Sequence, residues 1–286
     1  MYLLHYGILL GLVAMLGWGV GDTLSGVISK EQGSLKVAAW SQFPGIVLLL
    51  ALALIYKVPQ ISAYYLLLQV ADAVILTLSA VAFFEAMKIG EISIVSPISA
   101  SWAAFTVILS LLLLGESAGK LQYIGIALAI AGTALASFKL EGAIGIRHSK
   151  RALGADMAFL SALGFGIGFF ILNVLIIQLG WLLPTILNSV LIAIFVMAYA
   201  RSRGIDISPK KKERKPLLWL GIIYVISIIA YSIALTKSYA LIVAPIAAAS
   251  PVITVSIVIL FLKERPSKNQ IIGIAAAICG IILLSI

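Results

Sequence analysis

The chain has 286 residues, of which 62% are apolar and 11% are charged, and it carries a formal net charge of +9. Soluble domains contain about 45–50% apolar and about 25% charged residues, so this composition excludes an ordinary water-soluble fold. The apolar residues also form long uncharged runs instead of the alternating pattern of a half-buried surface. The composition therefore predicts a membrane protein.

A helix needs roughly 20 apolar residues to cross a hydrocarbon core that is about 30 Å thick. Ten runs come close to that length, near residues 4–27, 37–56, 64–87, 92–114, 121–138, 153–177, 182–199, 217–236, 242–262 and 270–286. The first run follows no basic residue and is too long for a signal-peptide core, so we interpret it as a helix. We therefore predict an all-α polytopic membrane protein with ten transmembrane helices and no soluble domain.

The sequence repeats itself internally, which is its strongest signal. A shift of 148 residues takes Pro97, Glu116, Lys120, Gln122, Gly125 and Gly132 onto Pro245, Glu264, Lys268, Gln270, Gly273 and Gly280. A shift of 147 takes Gly17, Gly19 and Gly21 onto Gly164, Gly166 and Gly168. Each half holds five runs, an odd number, so we predict that the second half is inverted relative to the first. Inverted repeats are typical of transporters, with the substrate site near the midplane at the repeat interface.

These residues also resemble a known family. Residues 94–137, with Ser96-Pro97 and Gly115-Glu116, and residues 243–285, with Ala244-Pro245 and Ser250-Pro251, are similar to EamA-type drug/metabolite transporters. The resemblance covers essentially the whole chain. It implies a five-helix repeat at 1–138, a basic linker at 139–151 and a second repeat at 152–286. It also implies a central cavity among the first, third, fourth, sixth, eighth and ninth helices, with the fifth and tenth outside.

The distribution of Lys and Arg predicts the orientation, because these residues favour the cytoplasmic side of a membrane. The loops after odd-numbered runs hold 17 of the 20 basic residues, and only Lys57, Lys120 and Lys237 follow even-numbered runs. The rule predicts a multi-pass protein of the cell membrane with both termini outside, whereas the family resemblance implies cytoplasmic termini. We follow the charges. The basic run at 209–212 is then a loop in contact with membrane lipid and not a nucleic-acid site.

Asp72 is the leading candidate for a binding or coupling residue. It lies about 12 Å into the third run at the helical rise, close to the midplane, where a carboxylate is costly and therefore tends to be functional. Gln69, Asp72, Ser79 and Phe83 share one helical face. The shift of 148 takes Ser79 and Phe83 onto Ser227 and Tyr231, and it takes Leu76 onto Tyr224. Ordinary helix contacts are the alternative for any one of these residues, but their recurrence favours a cavity lining.

The remaining candidates come from the family-like motifs and from other carboxylates. Trp102 and Ser250 stand where the two halves differ, since Trp102-Ala103 matches Ser250-Pro251, and this difference predicts an asymmetric cavity. Asp22 and Glu85 are candidates for coupling or gating, although each could be an interfacial residue, Glu85 in an ion pair with Lys88. Pro97, Pro245 and Pro251 are expected to break or kink their helices and to expose backbone groups.

Several other patterns argue against enzyme chemistry. The three-glycine motifs lack the strand and soluble helix of a dinucleotide site, so helix packing is the better interpretation. The chain has no Walker-type phosphate loop, and His5, His148 and Cys279 are too dispersed for a metal or nucleophile motif. We expect no cofactor and no metal.

The sequence thus favours a secondary transporter or facilitator that moves a small metabolite or amino acid by alternating access, with proton coupling through Asp72 as an option. An intramembrane enzyme is one alternative, but it would need catalytic groups that converge near one interface. A channel is another, and it would need a continuous polar stripe across the membrane. Neither alternative explains the inverted repeat as well.

Overall fold

The computed structural model describes residues 2–137, 154–262 and 267–285, so the predicted linker at 139–151 and Glu264 lie outside the described residues. In these ranges the chain is helical without strands, which confirms the all-α prediction. The helices are α1 (Tyr2–Gln32), α2 (Ser34–Trp40), α3 (Phe43–Ala53), α4 (Ala63–Ile89), α5 (Ile92–Ala100), α6 (Trp102–Leu113), α7 (Lys120–Ser137), α8 (Ala155–Leu179), α9 (Leu182–Ser202), α10 (Lys211–Leu235), α11 (Ala240–Ala247), α12 (Ser250–Leu262) and α13 (Lys268–Leu284).

Eight helical stretches of the described chain are long and apolar enough to cross a membrane: α1, α2 with α3, α4, α5 with α6, α8, α9, α10, and α11 with α12. They match eight of the ten predicted runs. The fifth and tenth runs form the shorter apolar helices α7 and α13. Large apolar side chains cover the outer surface, with Leu54 89%, Phe261 80% and Leu112 75% exposed. Such a surface suits contact with lipid.

Three of the crossing stretches are composite. The chain turns between α2 and α3 at Ser41 and Gln42, between α5 and α6 at Ser101, and between α11 and α12 at Ala248 and Ala249. In the last case Pro251 explains the turn, because proline has no N–H to donate to the carbonyl of Ala247. Pro97 and Pro245 themselves lie inside α5 and α11, each a few residues before the turn.

Glycines set the contacts between the two halves. A Cβ on Gly17 of α1 would lie 2.0 Å from Ser227 Oγ of α10, and a Cβ on Gly164 of α8 would lie 2.0 Å from Ser79 Oγ of α4. Glycine leaves room for the serine side chain at both crossings, and membrane helices commonly associate through such close packing of small residues. Each half therefore contributes one long helix that packs on a helix of the other half.

The same correspondence appears in hydrogen bonds. Thr106 Oγ1 of α6 donates to the carbonyl of Gly166 at 3.0 Å, and Thr254 Oγ1 of α12 donates to the carbonyl of Gly19 at 3.0 Å. Thr106 and Thr254 are related by the shift of 148, and Gly19 and Gly166 by the shift of 147. The internal repeat of the sequence is thus matched by a pair of equivalent contacts.

Helices α7 and α13 pack against each other at the side of the bundle. A Cβ on Gly125 would lie 2.8 Å from the carbonyl oxygen of Gly280, and a Cβ on Gly132 would lie 2.8 Å from that of Gly273. Contacts that advance along α7 therefore retreat along α13, so the two helices are antiparallel. The pairs α1 with α10 and α4 with α8 are antiparallel by the same criterion, because Gly21 of α1 faces Tyr224, and Gly168 of α8 faces Leu76.

Candidate functional site: a central cavity

A cavity of about 190 Å³ lies inside the bundle. Nearly every long helix contributes to its wall, with residues from both halves: Trp18, Asp22, Ser41, Gln42, Gly45, Leu76, Ala80, Phe83, Phe84, Ser96, Ser99, Ala100, Trp102, Phe165, Phe169, Leu172, Thr185, Asn188, Ser189, Ile192, Tyr224, Val225, Ile228 and Ser250. The wall is mostly apolar and aromatic, with hydroxyl and amide groups at a few points. A concave, largely apolar site with a few polar groups is the usual form of a small-molecule site.

Asp22 is the only charged side chain among the lining residues of the described chain. Ser96 Oγ donates to Asp22 Oδ2 at 3.2 Å, and the Tyr224 hydroxyl donates to Asp22 Oδ1 at 3.4 Å. Gly21 makes room for this arrangement, because a Cβ there would lie 2.6 Å from Tyr224 Cε1. One carboxylate is therefore placed on the cavity wall between α5 of the first half and α10 of the second.

Asp72 lies behind the wall and is fully buried. Asn188 Nδ2 donates to Asp72 Oδ2 at 2.8 Å, and Gln69 Nε2 donates to Asn188 Oδ1 at 2.5 Å. Of these three residues only Asn188 lines the cavity. Asp72 Oδ1 has no hydrogen-bond partner among the described residues, and a Cβ on Gly168 would lie 3.3 Å from it. Asp72 and Gln69 can thus reach a bound solute only through Asn188 or after a movement of the helices.

Ser79 and Ser227 have a packing role in this structure and do not line the cavity. Each hydroxyl donates to a carbonyl one turn earlier in its own helix, Ser79 to Ile75 at 2.7 Å and Ser227 to Ile223 at 2.8 Å. Each also fills the space opposite a glycine, as described above. Of the other candidates in this set, Phe83, Trp102, Tyr224 and Ser250 line the cavity, whereas Tyr231 does not.

An aromatic cluster made of Trp18, Trp102, Phe169 and Tyr231 bounds one end of the cavity. Tyr231 is fully buried, with its ring centroid 5.3 Å from those of Trp18 and Phe169, and the rings of Trp102 and Phe169 lie 4.5 Å apart. Three members line the cavity, while Tyr231 lies behind them. Such offset and edge-on pairs stabilise a packed arrangement. The cluster therefore forms a packed aromatic boundary on this side of the cavity.

A second cavity lies beyond the aromatic cluster. Its walls include Asn173 of α8 and Leu235 of α10, each four residues after a member of the cluster, and Thr236 and Lys237 just beyond the end of α10. Glu116 also lines it, although this carboxylate is already bound: it accepts from the backbone N–H groups of Ala240 and Leu241 at 3.2 and 2.9 Å. A carboxylate at a helix N-terminus stabilises that end. Glu116 thus anchors the N-terminal end of α11.

The remaining candidates occupy other places. Glu85 accepts a hydrogen bond from the Ser34 hydroxyl and forms an ion pair with Lys88 at 3.1 Å. This ion pair is the alternative to a coupling or gating role that the sequence offered for Glu85. Pro97, Pro245 and Pro251 are buried in the broken helices that contribute Ser96, Ser99 and Ser250 to the wall. They shape the cavity without lining it.

Three important lining residues escaped the sequence analysis. Trp18 lies between Gly17 and Gly19 of the first glycine motif, and Phe169 directly follows the second motif. Asn188 is a lone amide in the seventh run, and an amide inside a membrane span was a usable signal. The sequence could not indicate that Asn188 hydrogen-bonds to Asp72, because the two residues come from different halves and do not correspond under the shift of 148.

Comparison with known proteins agrees with this architecture. A solved crystal structure superimposes with a TM-score of 0.77 over 97% of this chain and 95% of its own, at 17% identity, which shows the fold alone. An uncharacterized protein of Methanocaldococcus jannaschii is 33% identical over 133 residues, which are 46% of this chain and 94% of that relative. The EamA-like transporter family matches residues 5–138 and again 152–286. The chain is therefore a multi-pass membrane protein that belongs to the EamA-like transporter family.

Proposed function

We propose that this protein is a secondary transporter or facilitator that moves a small organic solute across the cell membrane by alternating access. The observation that carries this proposal is a cavity walled by both halves, with the aromatic cluster between it and a second cavity along α8 and α10. A solute held in the first cavity would leave through the second once the cluster opens.

We propose further that the ten apolar runs of the sequence all cross the membrane. They would form inverted repeats at 1–138 and 152–286, joined by a basic linker at 139–151. The antiparallel packing of α7 on its counterpart α13 supports inversion, since related helices of parallel repeats would run in the same direction. The equivalent threonine hydrogen bonds support the repeat itself. The 133 matched residues are 94% of the Methanocaldococcus jannaschii relative, so that relative is about as long as one half of this chain. Such a length suits a five-helix unit.

The contacts between the halves favour a rocking motion. The crossings of α1 with α10 and of α4 with α8 are built alike, because in each a glycine faces a serine and a second glycine faces a larger side chain. The two crossings are equivalent, so a movement at one has a counterpart at the other. Alternating access in repeat transporters is largely a movement of one bundle against another around a fixed site.

Proton coupling would involve Asp72. An ionised carboxylate without a cationic partner is costly at this depth, and Asp72 has a single hydrogen bond from Asn188. A movement of α9 away from α4 would break that bond and expose Asp72 to the cavity. The carboxyl group would then gain or lose a proton only in one of the two conformations, which is the requirement for coupling.

The mechanism can be tested without knowledge of the solute. In a background with Cys279→Ser, Ser99→Cys would place a thiol on the cavity wall, and a charged membrane-impermeant methanethiosulfonate would be applied to one side of proteoliposomes at a time. Alternating access predicts modification from either side. The lipid-facing Leu112→Cys is the control and should react from neither side.

Two outcomes would contradict the proposal. Modification of Ser99→Cys from one side only would mean that the aromatic cluster never opens. Stepwise ion currents in planar bilayers would mean that the cluster does not separate the two cavities and that the protein is a channel.

A further inference from the structure

We propose that the central cavity selects a small organic cation, an amine on an apolar or aromatic body without a carboxylate, and that Asp22 binds its ammonium group. The inference rests on the proposed function, because it takes the cavity as the place where the transported solute binds. It adds a substrate class and a residue that recognises it.

The charge of the residues that line the cavity is the first argument for a cationic solute. Asp22 is the single acidic residue on the wall, and no Lys, Arg or His of the described chain lines it. Asp22 lies five residues before the end of the first apolar run at residue 27, which is about 8 Å at 1.5 Å per residue. At such a depth a carboxylate needs a partner of opposite charge, and its removal from water costs several kcal/mol without one. In this cavity the solute can supply that charge.

The hydrogen bonds of Asp22 leave room for such a partner. Its two donors, Ser96 and Tyr224, are neutral and lie 3.2 and 3.4 Å away, longer than the 2.7–2.8 Å usual for hydroxyl donors. A carboxylate can accept about four hydrogen bonds, so Asp22 has unused capacity. An ammonium group has three donors and can bind the carboxylate with a charge-assisted hydrogen bond, roughly twice as strong as a neutral one.

The wall around Asp22 suits the rest of an amine. The rings of Phe84 and Tyr224 lie 6.3 Å apart, and those of Phe165 and Phe169 lie 5.8 Å apart. Aromatic faces attract cations and also provide an apolar surface for a ring. The cavity has a volume of about 190 Å³. A cavity of about 150 Å³ is large enough to bind benzene, so a solute with one ring can fit.

The same features reject anions and disfavour amino acids. A carboxylate in the solute would lie in a cavity without a basic side chain on the described wall, and Asp22 would repel it. The hydroxyl and amide groups of Thr185, Ser189 and Asn188 could donate to it, but neutral donors compensate only part of the desolvation of an anion. The cavity thus favours phenethylamine over two compounds with the same phenyl ring: L-phenylalanine, which is a zwitterion, and 3-phenylpropionate, which is an anion.

The test is competition for radiolabelled phenethylamine on the purified full chain in lipid nanodiscs. We expect saturable binding, at least ten-fold weaker competition by L-phenylalanine, and no competition by 3-phenylpropionate. Asp22→Asn should lower the affinity for phenethylamine at least ten-fold, while Asp156→Asn, an exposed carboxylate at the start of α8, should leave it unchanged.

Several results would overturn the inference: absence of saturable phenethylamine binding, equal competition by 3-phenylpropionate, or full affinity in Asp22→Asn. The competition series uses the wild-type protein, so it decides the matter even if Asp22→Asn does not fold. A failure here would leave the two-sided labelling of Ser99→Cys unaffected, and a failure of that labelling would instead remove the transport mechanism.

Discussion

At the scale of single residues, the carboxylates of Asp22 and Asp72 have different surroundings. Asp22 meets the cavity directly and is held by two long hydrogen bonds, whereas Asp72 is enclosed and reaches the cavity only through Asn188. This difference suits separate roles for the two residues, in which Asp22 binds the solute and Asp72 carries a proton. Both carboxylates would act in one cycle but at different steps.

Asp72→Asn separates these roles. The amide has nearly the shape of the carboxyl group, and its oxygen can still accept from Asn188, so we expect folding and phenethylamine binding to be retained. It cannot exchange a proton, so accumulation driven by a pH gradient in proteoliposomes should fall at least ten-fold, while exchange without a gradient should change less than two-fold. Glu31→Gln, at an exposed carboxylate, is the control. Undiminished accumulation would place the coupling elsewhere.

The site could be predicted in part, because helical spacing shows which residues share a face but not which face meets a cavity. Phe83, Trp102, Tyr224 and Ser250 reach the wall as expected. Ser79 and Ser227 lie on the same stripe, yet each faces a glycine of the other half. That distinction depends on contacts between residues far apart in the chain, which periodicity does not encode.

At the scale of helices, hydrophobic runs predicted the elements well because the membrane imposes their length. Eight runs became helices of sufficient length, and the fifth and tenth became α7 and α13. The turn between α5 and α6 was harder to place. It lies at Ser101, four residues after Pro97, and the equivalent turn between α11 and α12 ends at Ala249, four residues after Pro245 and two before Pro251. The same break thus occurs with a following proline in one half only.

The pairing of α7 with α13 gives a prediction for stability. Gly132→Val would place a Cβ 2.4 Å from the backbone nitrogen of Ala277, which cannot move aside as a side chain can. Extra volume forced into a well-packed core costs about 1–3 kcal/mol. We expect a lower melting temperature and a lower yield of monodisperse protein in detergent.

Gly119→Ala is the matched control for that prediction. Its Cβ would meet only Gln122 Oε1, at 3.7 Å, which is an ordinary contact, and the residue is exposed. Its melting temperature should equal that of the wild type. If Gly132→Val were equally stable, the close approach of α7 and α13 would be wrong.

At the scale of the whole molecule, the two halves form the cavity together and neither encloses it alone. The wall takes Asp22 and Ser96 from the first half and Tyr224 from the second, so the contacts of the candidate ammonium site bridge the repeat interface. A movement between the halves would therefore change the hydrogen bonds of Asp22 directly. That connection links the binding of a solute to the conformation of the bundle.

The orientation of the bundle is the last prediction, and it follows from the 17 basic residues in the loops after odd-numbered runs against 3 elsewhere. Basic loops remain on the cytoplasmic side, so we propose that both termini lie outside. In a Cys279→Ser background, an impermeant maleimide added to intact cells should modify Tyr2→Cys and Lys57→Cys and spare Lys211→Cys. Permeabilised cells provide the control, because all three thiols should then react. The reverse pattern in intact cells would mean that the termini are cytoplasmic, as the family resemblance implies, and that the basic loops face outward against the charge rule.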